Sequence, residues 1–290
     1  MLKEISKKFR IFLGSAYFLH HRFQLLSVGI FAILGILGTG MYFFSSSCNQ
    51  KTSGVSTSPT PSVSPTNYPK IERYRVPILM YHYIRPSDPS NRLVDRLSVS
   101  PENFESQVGW LKENHFATIK TADLSDSNKT VISNTYGRGE KPLIITFDDG
   151  YADAFLTAYP ILRKHNFSGT FYIIRNAVGK PNYLTQAQIE ELQSAGMEIG
   201  AHALDHLDLT KMTLAEARRQ IADSKSDAQS FSFPAGKFNE AIKGLVKESM
   251  YTNAITTEEG VADQNSDLFE LPRIRISNLT LDQFKNRVGE

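Results

Sequence analysis

The sequence has a single cysteine, Cys48. One thiol cannot build an internal disulfide framework or a multi-cysteine zinc site. Any metal bound here would be held by His, Asp or Glu. The redox compartment stays open, because a domain of this size can fold without disulfides. Charge of one sign is also lacking: the formal net charge is +2. No basic cluster is interleaved with aromatics in the manner of a nucleic-acid site, so no nucleic-acid partner is expected. No glycine-rich phosphate loop follows an apolar run, and no internal repeat is visible.

Charge is missing altogether from Phe23 to Gln50. Within that run, Leu25 to Phe44 is mostly apolar and, as a helix, would reach about 30 Å, one hydrocarbon core. The flank before it is basic (Lys3, Lys7, Lys8, Arg10, Arg22). By the positive-inside rule, residues 1–22 read as a cytoplasmic basic segment and 23–44 as a single-pass transmembrane anchor with the rest of the chain outside. Two alternatives stand beside the anchor: a lipoprotein signal through Cys48, and a cleaved signal that yields a secreted protein. Residues 45–70 are rich in Ser, Thr and Pro with almost no large apolar side chains, the composition of a disordered linker.

From Ile71 onwards short apolar runs alternate with helical patterns. Strands are expected at Val76–His82, Pro142–Phe147, Gly169–Ile174, Met197–Ala201, Phe231–Phe233, Thr252–Thr256 and Leu271–Ile276. Ser100 with Pro101 starts one helix. Thr185 with Gln188, Thr213 with Glu216 and Thr280 with Gln283 are capping-box pairs that start three more. Ala152–His165 and Phe238–Met250 read as helices too. Continuous apolar strands alternating with helices imply a parallel sheet covered by helices. About seven units in some 220 residues suit an α/β barrel, with 71–290 as its domain.

Polar groups gather where these strands end. Asp148 and Asp149 follow a buried run, and adjacent carboxylates there call for a positive partner; a solvated turn at Gly150 is the plain alternative. His202 and His206 stand four apart, able to grip one ion from a single helical turn, or paired by coincidence. His82 ends the first strand, where a structural histidine is the ordinary reading. Pro234-Ala235-Gly236 can present a backbone N–H to a ligand. Together, Asp149, His202 and His206 supply three donors and leave a fourth position open, as in a catalytic zinc site. Asp148 beside them can act as a general base towards water.

These residues resemble a known family. TFDDG at 146–150, GAHALDHLDLTKM at 200–212 and FSFPAGKFN at 231–239 are similar to the three signatures of polysaccharide deacetylases of carbohydrate esterase family 4, the NodB-homology group. The resemblance covers about Val76 to Ile276. It implies a distorted (β/α)7-type barrel and a divalent metal, usually Zn2+, with Co2+, Ni2+ or Mn2+ as options. It makes Asp149, His202 and His206 the metal ligands and Asp148 the base. It puts an oxyanion-binding N–H at Pro234–Ala235. Departures from the pattern are Ala203 in place of Ser or Thr, Ser232 in place of Arg, and Ala235 in place of an aromatic. No histidine follows His206, so the usual late acid is missing. The opening VPILMYHYI at 76–84 resembles poly-N-acetylglucosamine deacetylases, which take their acid from this strand, and His82 inherits that role. Arg273, in LPRIRI, resembles a late basic position that tunes the base; a surface salt bridge is the alternative.

The expected activity is hydrolytic removal of N-acetyl groups from an extracytoplasmic polysaccharide such as poly-N-acetylglucosamine or peptidoglycan. An O-acetyl xylan-type esterase and an inactive glycan-binding wall protein are the other readings. Oligomeric state is not encoded in any pattern seen here.

Overall fold

The computed structural model describes residues 71–125 and 129–289. Seven strands form the centre: β1 (Ile78–Tyr81), β2 (Lys141–Phe147), β3 (Thr170–Ile173), β4 (Glu198–Ala201), β5 (Ser230–Ser232), β6 (Asn253–Glu259) and β7 (Leu271–Arg275). Each pairs in parallel with the next. β7 pairs with β1, Ile274 opposite Leu79, and this closes a seven-strand parallel barrel. The ring is uneven. β4 and β5 share the single pair Ala201–Phe231, and the register between β6 and β7 shifts between Ile255 and Glu259. An eighth strand, Phe116–Thr118, pairs with the start of β2 outside the ring.

Helices cover the outside: α1 (Pro101–Glu113), α2 (Lys129–Gly137), α3 (Tyr159–Lys164), α4 (Gln186–Ser194), α5 (Leu214–Ala222), α6 (Glu240–Glu248) and α7 (Leu281–Val288). The expected caps are made. Ser100 accepts from the Asn103 N–H, and full capping boxes open α4, α5 and α7. Between helices and barrel lies the main apolar core, with Leu79, Tyr81, Ile145, Phe147 and Phe171 from the outer strand faces packed on Phe104, Leu111 and Leu162.

Two elements differ from their sequence patterns, both at prolines. The expected strand 76–82 is broken at Pro77. Arg75–Val76 pairs antiparallel with Ala262–Asp263, and only Ile78–Tyr81 joins the barrel, because Pro77 has no N–H for the ladder. The expected helix 152–165 forms over 152–164 and widens into a π turn at Ala154–Ala158 before α3. Pro160 cannot donate to the carbonyl four residues back and crowds it, and the wider turn accommodates this.

Strand alternation sets what faces inward. Ile144, Thr146 and Asp148 share one face of β2 and its extension, and Glu198, Gly200 and His202 share one face of β4. Gly200 is required by space: a Cβ there would sit 2.4 Å from the Tyr172 ring that crosses the barrel. The lower end is polar. Glu198 accepts from Ser230, Thr170 and the Ala122 N–H, and Asn253 donates to the Thr121 and Leu124 carbonyls. The upper end, where strands terminate, carries the groups described next.

One part of the sequence reading is corrected. A barrel preceded by a transmembrane helix was expected, but no helix among the described residues is long and apolar enough to cross a membrane. The segments 1–22, 23–44 and 45–70, with Cys48, lie outside the described residues. The fold of the described residues is the seven-strand barrel. The membrane partner, the single-pass extracytoplasmic topology and the lipoprotein alternative find no structural support and are withdrawn.

Candidate metal centre and active site

Asp148 and Asp149 leave β2 as neighbours but face different groups. Asp148 continues the inward face. Asp149 has φ 72, and this left-handed turn swings its carboxylate towards the loop after β4. There Asp149 Oδ1 lies 3.3 Å from His202 Nε2 and 3.4 Å from His206 Nε2. One donor atom from each of the three residues falls within 4.8 Å of the others.

The two histidines do not sit on a helical turn, as their spacing suggested. Residues 203–205 form a turn, and Ala203 (φ 59) and His206 (φ 55) are both left-handed. Non-glycine residues in this region cost of order 1–3 kcal/mol and persist where surrounding contacts hold them. Gln220 on α5 supplies that hold. Its Oε1 accepts from the Leu204 and Asp205 N–H groups at 3.1 and 3.0 Å, and its Nε2 donates to Asp205 at 2.8 Å. Asn176 donates to the other Asp205 oxygen. Ala203, where the resemblance expects a hydroxyl, is fully buried.

The donor chemistry fits a divalent cation. His202 Nδ1 lies 2.7 Å from the Ser232 carbonyl. A carbonyl only accepts, so Nδ1 is the donor and Nε2 is left for the site. Asp149 Oδ1 is buried with no hydrogen-bond partner. Lone pairs of two imidazoles and a carboxylate thus converge and need positive charge between them. The carboxylates beside His202 favour its protonated form. Burial pushes His202 down, but Asp149 and Asp148 outweigh this and raise its pKa. A cation would displace that proton. Burial likewise pushes Asp149 up, but His202 outweighs it and holds the carboxyl below the ordinary value. His206 is lowered by burial and by His202.

Asp148 is gripped from the other side. Arg273 Nη1 and Nη2 donate to its two oxygens at 2.8 and 2.7 Å. Arg273 Nε donates to the Thr256 carbonyl and Nη1 also to Thr146. The arginine is 0% exposed and Asp148 2%, so this is a fully buried pair and not a surface bridge. Burial raises the Asp148 carboxyl, but the guanidinium outweighs it and holds the carboxyl far below the usual range. His82, just past β1, places Nε2 4.0 Å from Asp148 Oδ2. Burial lowers its pKa despite the pull of Asp148 and Asp149. Pro234 and Ala235 form a turn that starts two residues after Ser232. Pro234 is buried, and Ala235 is exposed with φ 53. Their link to the cluster is through the chain, by way of the Ser232 carbonyl.

The sequence reading missed Gln220, the Ser232 carbonyl and the tyrosines at the mouth, Tyr83, Tyr151 and Tyr183. No local pattern marks them, since each acts across the fold. Tyr151 and Tyr183 line a cleft of about 250 Å³ together with Asp149 and His206, and Tyr83 stacks on Tyr151.

Comparison with known proteins agrees with this geometry. The family described as "Polysaccharide deacetylase" matches residues 135–254. YxkH of Bacillus subtilis (strain 168), whose name places it in that family, is 31% identical over 211 residues, 70% of this chain and 72% of its own. A poly-beta-1,6-N-acetyl-D-glucosamine N-deacetylase of Staphylococcus epidermidis is 24% identical over 255 residues, 76% of this chain and 84% of its own. Among solved structures, the Streptococcus pyogenes deacetylase PplD in complex with acetate aligns with TM-score 0.65 and 26% identity, covering 74% of this chain and 99% of its own. The chain belongs to the polysaccharide deacetylase family and is a hydrolase of that type.

Proposed function

We propose that the enzyme removes N-acetyl groups from an N-acetylated polysaccharide, with poly-N-acetylglucosamine the first candidate and peptidoglycan the second. The catalytic domain in this reading is 71–290. The observation that carries it is Asp148, held between Arg273 and His82 beside the three-donor cluster; an inactive binding protein needs neither base nor acid. The Staphylococcus epidermidis relative named for poly-beta-1,6-N-acetyl-D-glucosamine and the His82 strand favour that polymer.

In this mechanism Asp149, His202 and His206 hold a divalent cation, zinc by preference for its N/O donor set. Bound there, the cation would polarise the acetyl carbonyl and acidify water. Asp148 accepts the proton from water as it attacks. Arg273 keeps Asp148 ionised and fixes both of its oxygens. A carboxylate held this far down is a reluctant base, yet it gives the proton up readily. His82, its pKa lowered by burial, takes that proton and delivers it to the departing amine nitrogen. The backbone at Pro234–Ala235 is the candidate donor to the developing oxyanion.

Acetate release, read by mass spectrometry on a panel of glycans with and without chelator, tests the reading. Release is expected from N-acetylglucosamine polymers, with loss on chelation. Release from acetylated xylan alone would make the enzyme an O-acetyl esterase instead. Asp148→Asn should lower turnover by about 10²–10⁴-fold while the cation stays bound. Full activity in that variant would discard the mechanism.

A further inference from the structure

β7 turns two arginines towards the barrel interior. Leu271, Arg273 and Arg275 alternate onto its inner face. Leu271 packs with Ile78, Ile144 and Ile255 inside, while Ile274 and Ile276 join the outer core. Arg275 stands opposite Met80, two residues before His82, and so belongs to the His82 side of the mouth. Among the described residues three arginines are drawn at least partly out of water. Arg85 is tied to Asp153 and Arg273 to Asp148. Arg275 is half-buried, and its side chain makes no hydrogen bond or ion pair with any described residue. The acids within its electrostatic reach are Asp148 and Glu259. Both are committed elsewhere, Asp148 to Arg273 by two hydrogen bonds and Glu259 to Arg287 at 3.2 Å. The cations within that reach are Arg273 and Arg96, and His82 feels Arg275 in turn. Taking an unpaired guanidinium partly out of water is costly, and the barrel gains no bond from this one. It stays protonated at every working pH.

N-deacetylation changes the charge of the sugar. The N-acetyl group is neutral. The amine left behind is mostly an ammonium at pH 7, since it titrates near about 8, as an α-amino group does. Arg275 therefore meets a neutral unit before hydrolysis and a cation after it. Like charges repel, and more strongly where water is partly excluded. We propose that Arg275 makes the site discriminate against free-amine sugar units: it helps expel the deacetylated unit and disfavours chain positions already converted. Product then leaves instead of occupying the mouth, and units still acetylated take its place. The proposal rests on the N-deacetylase reading above and adds to it how the site tells substrate from product. Cleavage of an O-acetyl ester leaves a neutral hydroxyl, on which this charge would have no such effect.

The test measures how added pentaglucosamine, with every amine free, inhibits acetate release from a pentasaccharide of N-acetylglucosamine. Wild type, Arg275→Gln and Arg275→Lys are compared. Arg275 has no partner to strand, and melting temperatures are taken in parallel. At pH 7 the inhibition constant should fall about five- to tenfold in Arg275→Gln, the order expected for one unit charge removed from a partly wet site. Arg275→Lys keeps the charge and should stay near wild type. At about pH 9.5 the sugar amine is neutral and the arginine still charged, so wild type and Arg275→Gln should converge. Wild type alone should bind pentaglucosamine more tightly there than at pH 7; no change, or weaker binding, overturns the proposal without any variant. Equal inhibition of wild type and Arg275→Gln at pH 7 overturns it and spares the N-deacetylase reading. A gap that persists at about pH 9.5, or a Lys variant that behaves as the Gln variant does, also overturns it, because charge would not then be the cause. A wild type that releases no acetate from any N-acetylated oligomer takes both down.

Discussion

Arg273 shows how much a single residue can decide. It is buried in the barrel wall, spends its donors on Asp148, Thr146 and the Thr256 carbonyl, and keeps Asp148 charged where burial alone would protonate it. Removing one partner of a buried pair leaves the other uncompensated. Arg273→Met, studied without cation in the presence of chelator, should therefore lose about 3–5 kcal/mol at pH 7. Asp148 is depressed in the folded wild type. The pair's contribution is thus fully present above the unfolded carboxyl value and lost as pH falls through the lower folded one. In the variant, burial raises Asp148 instead, and protonation relieves the strain. The gap between the two proteins should therefore narrow towards about pH 4, near the unfolded Asp value. Denaturation curves at both pH values check this; a variant as stable as wild type at pH 7 would mean the pair contributes nothing. The LPRIRI pattern pointed at Arg273, but full burial and a bidentate grip depend on Thr146, Asp148 and Thr256 meeting across the barrel, and no local spacing encodes that.

At the scale of elements, the loop 202–206 carries two of the three cation ligands without regular structure to hold it. Gln220, on α5, is one of its holds, beside Asn176 and the Arg175 and Asn176 N–H groups. Gln220→Leu leaves the Leu204 and Asp205 N–H groups without their acceptor, and the turn between the two histidines loses that anchor. Cation affinity should fall about 10–100-fold, read by titration calorimetry with zinc, with the far-ultraviolet spectrum unchanged. Unaltered affinity would mean the loop holds its own shape. Helix starts were readable because capping is local: Thr185, Thr213 and Thr280 each bond within three residues. The break at Pro77 and the π turn ahead of Pro160 were readable in principle, since both prolines lie inside the expected elements. Gln220 was not, because it closes a contact 15 and 16 residues away in the chain.

For the whole molecule, the barrel followed from seven apolar runs in alternation with helices, a signal that survives short strands. The polar floor around Glu198 and Asn253 did not follow, because its members come from four strands, β3 to β6, and from the turn at 121–124. The membrane helix was the reading that failed to find support, and it rested on composition outside the barrel. The candidate site was legible where chemistry is adjacent in sequence, as in Asp148-Asp149 and His202-x-x-x-His206. The tyrosine row escaped because 83, 151 and 183 meet only once the barrel closes. All of this converges on the claim that the barrel mouth holds one divalent cation. Crystals grown with zinc, measured at the zinc absorption edge, should give one strong anomalous peak about 2.0–2.2 Å from Asp149, His202 and His206. No peak there at zinc saturation, or an ion held elsewhere with these three side chains turned apart, would contradict it.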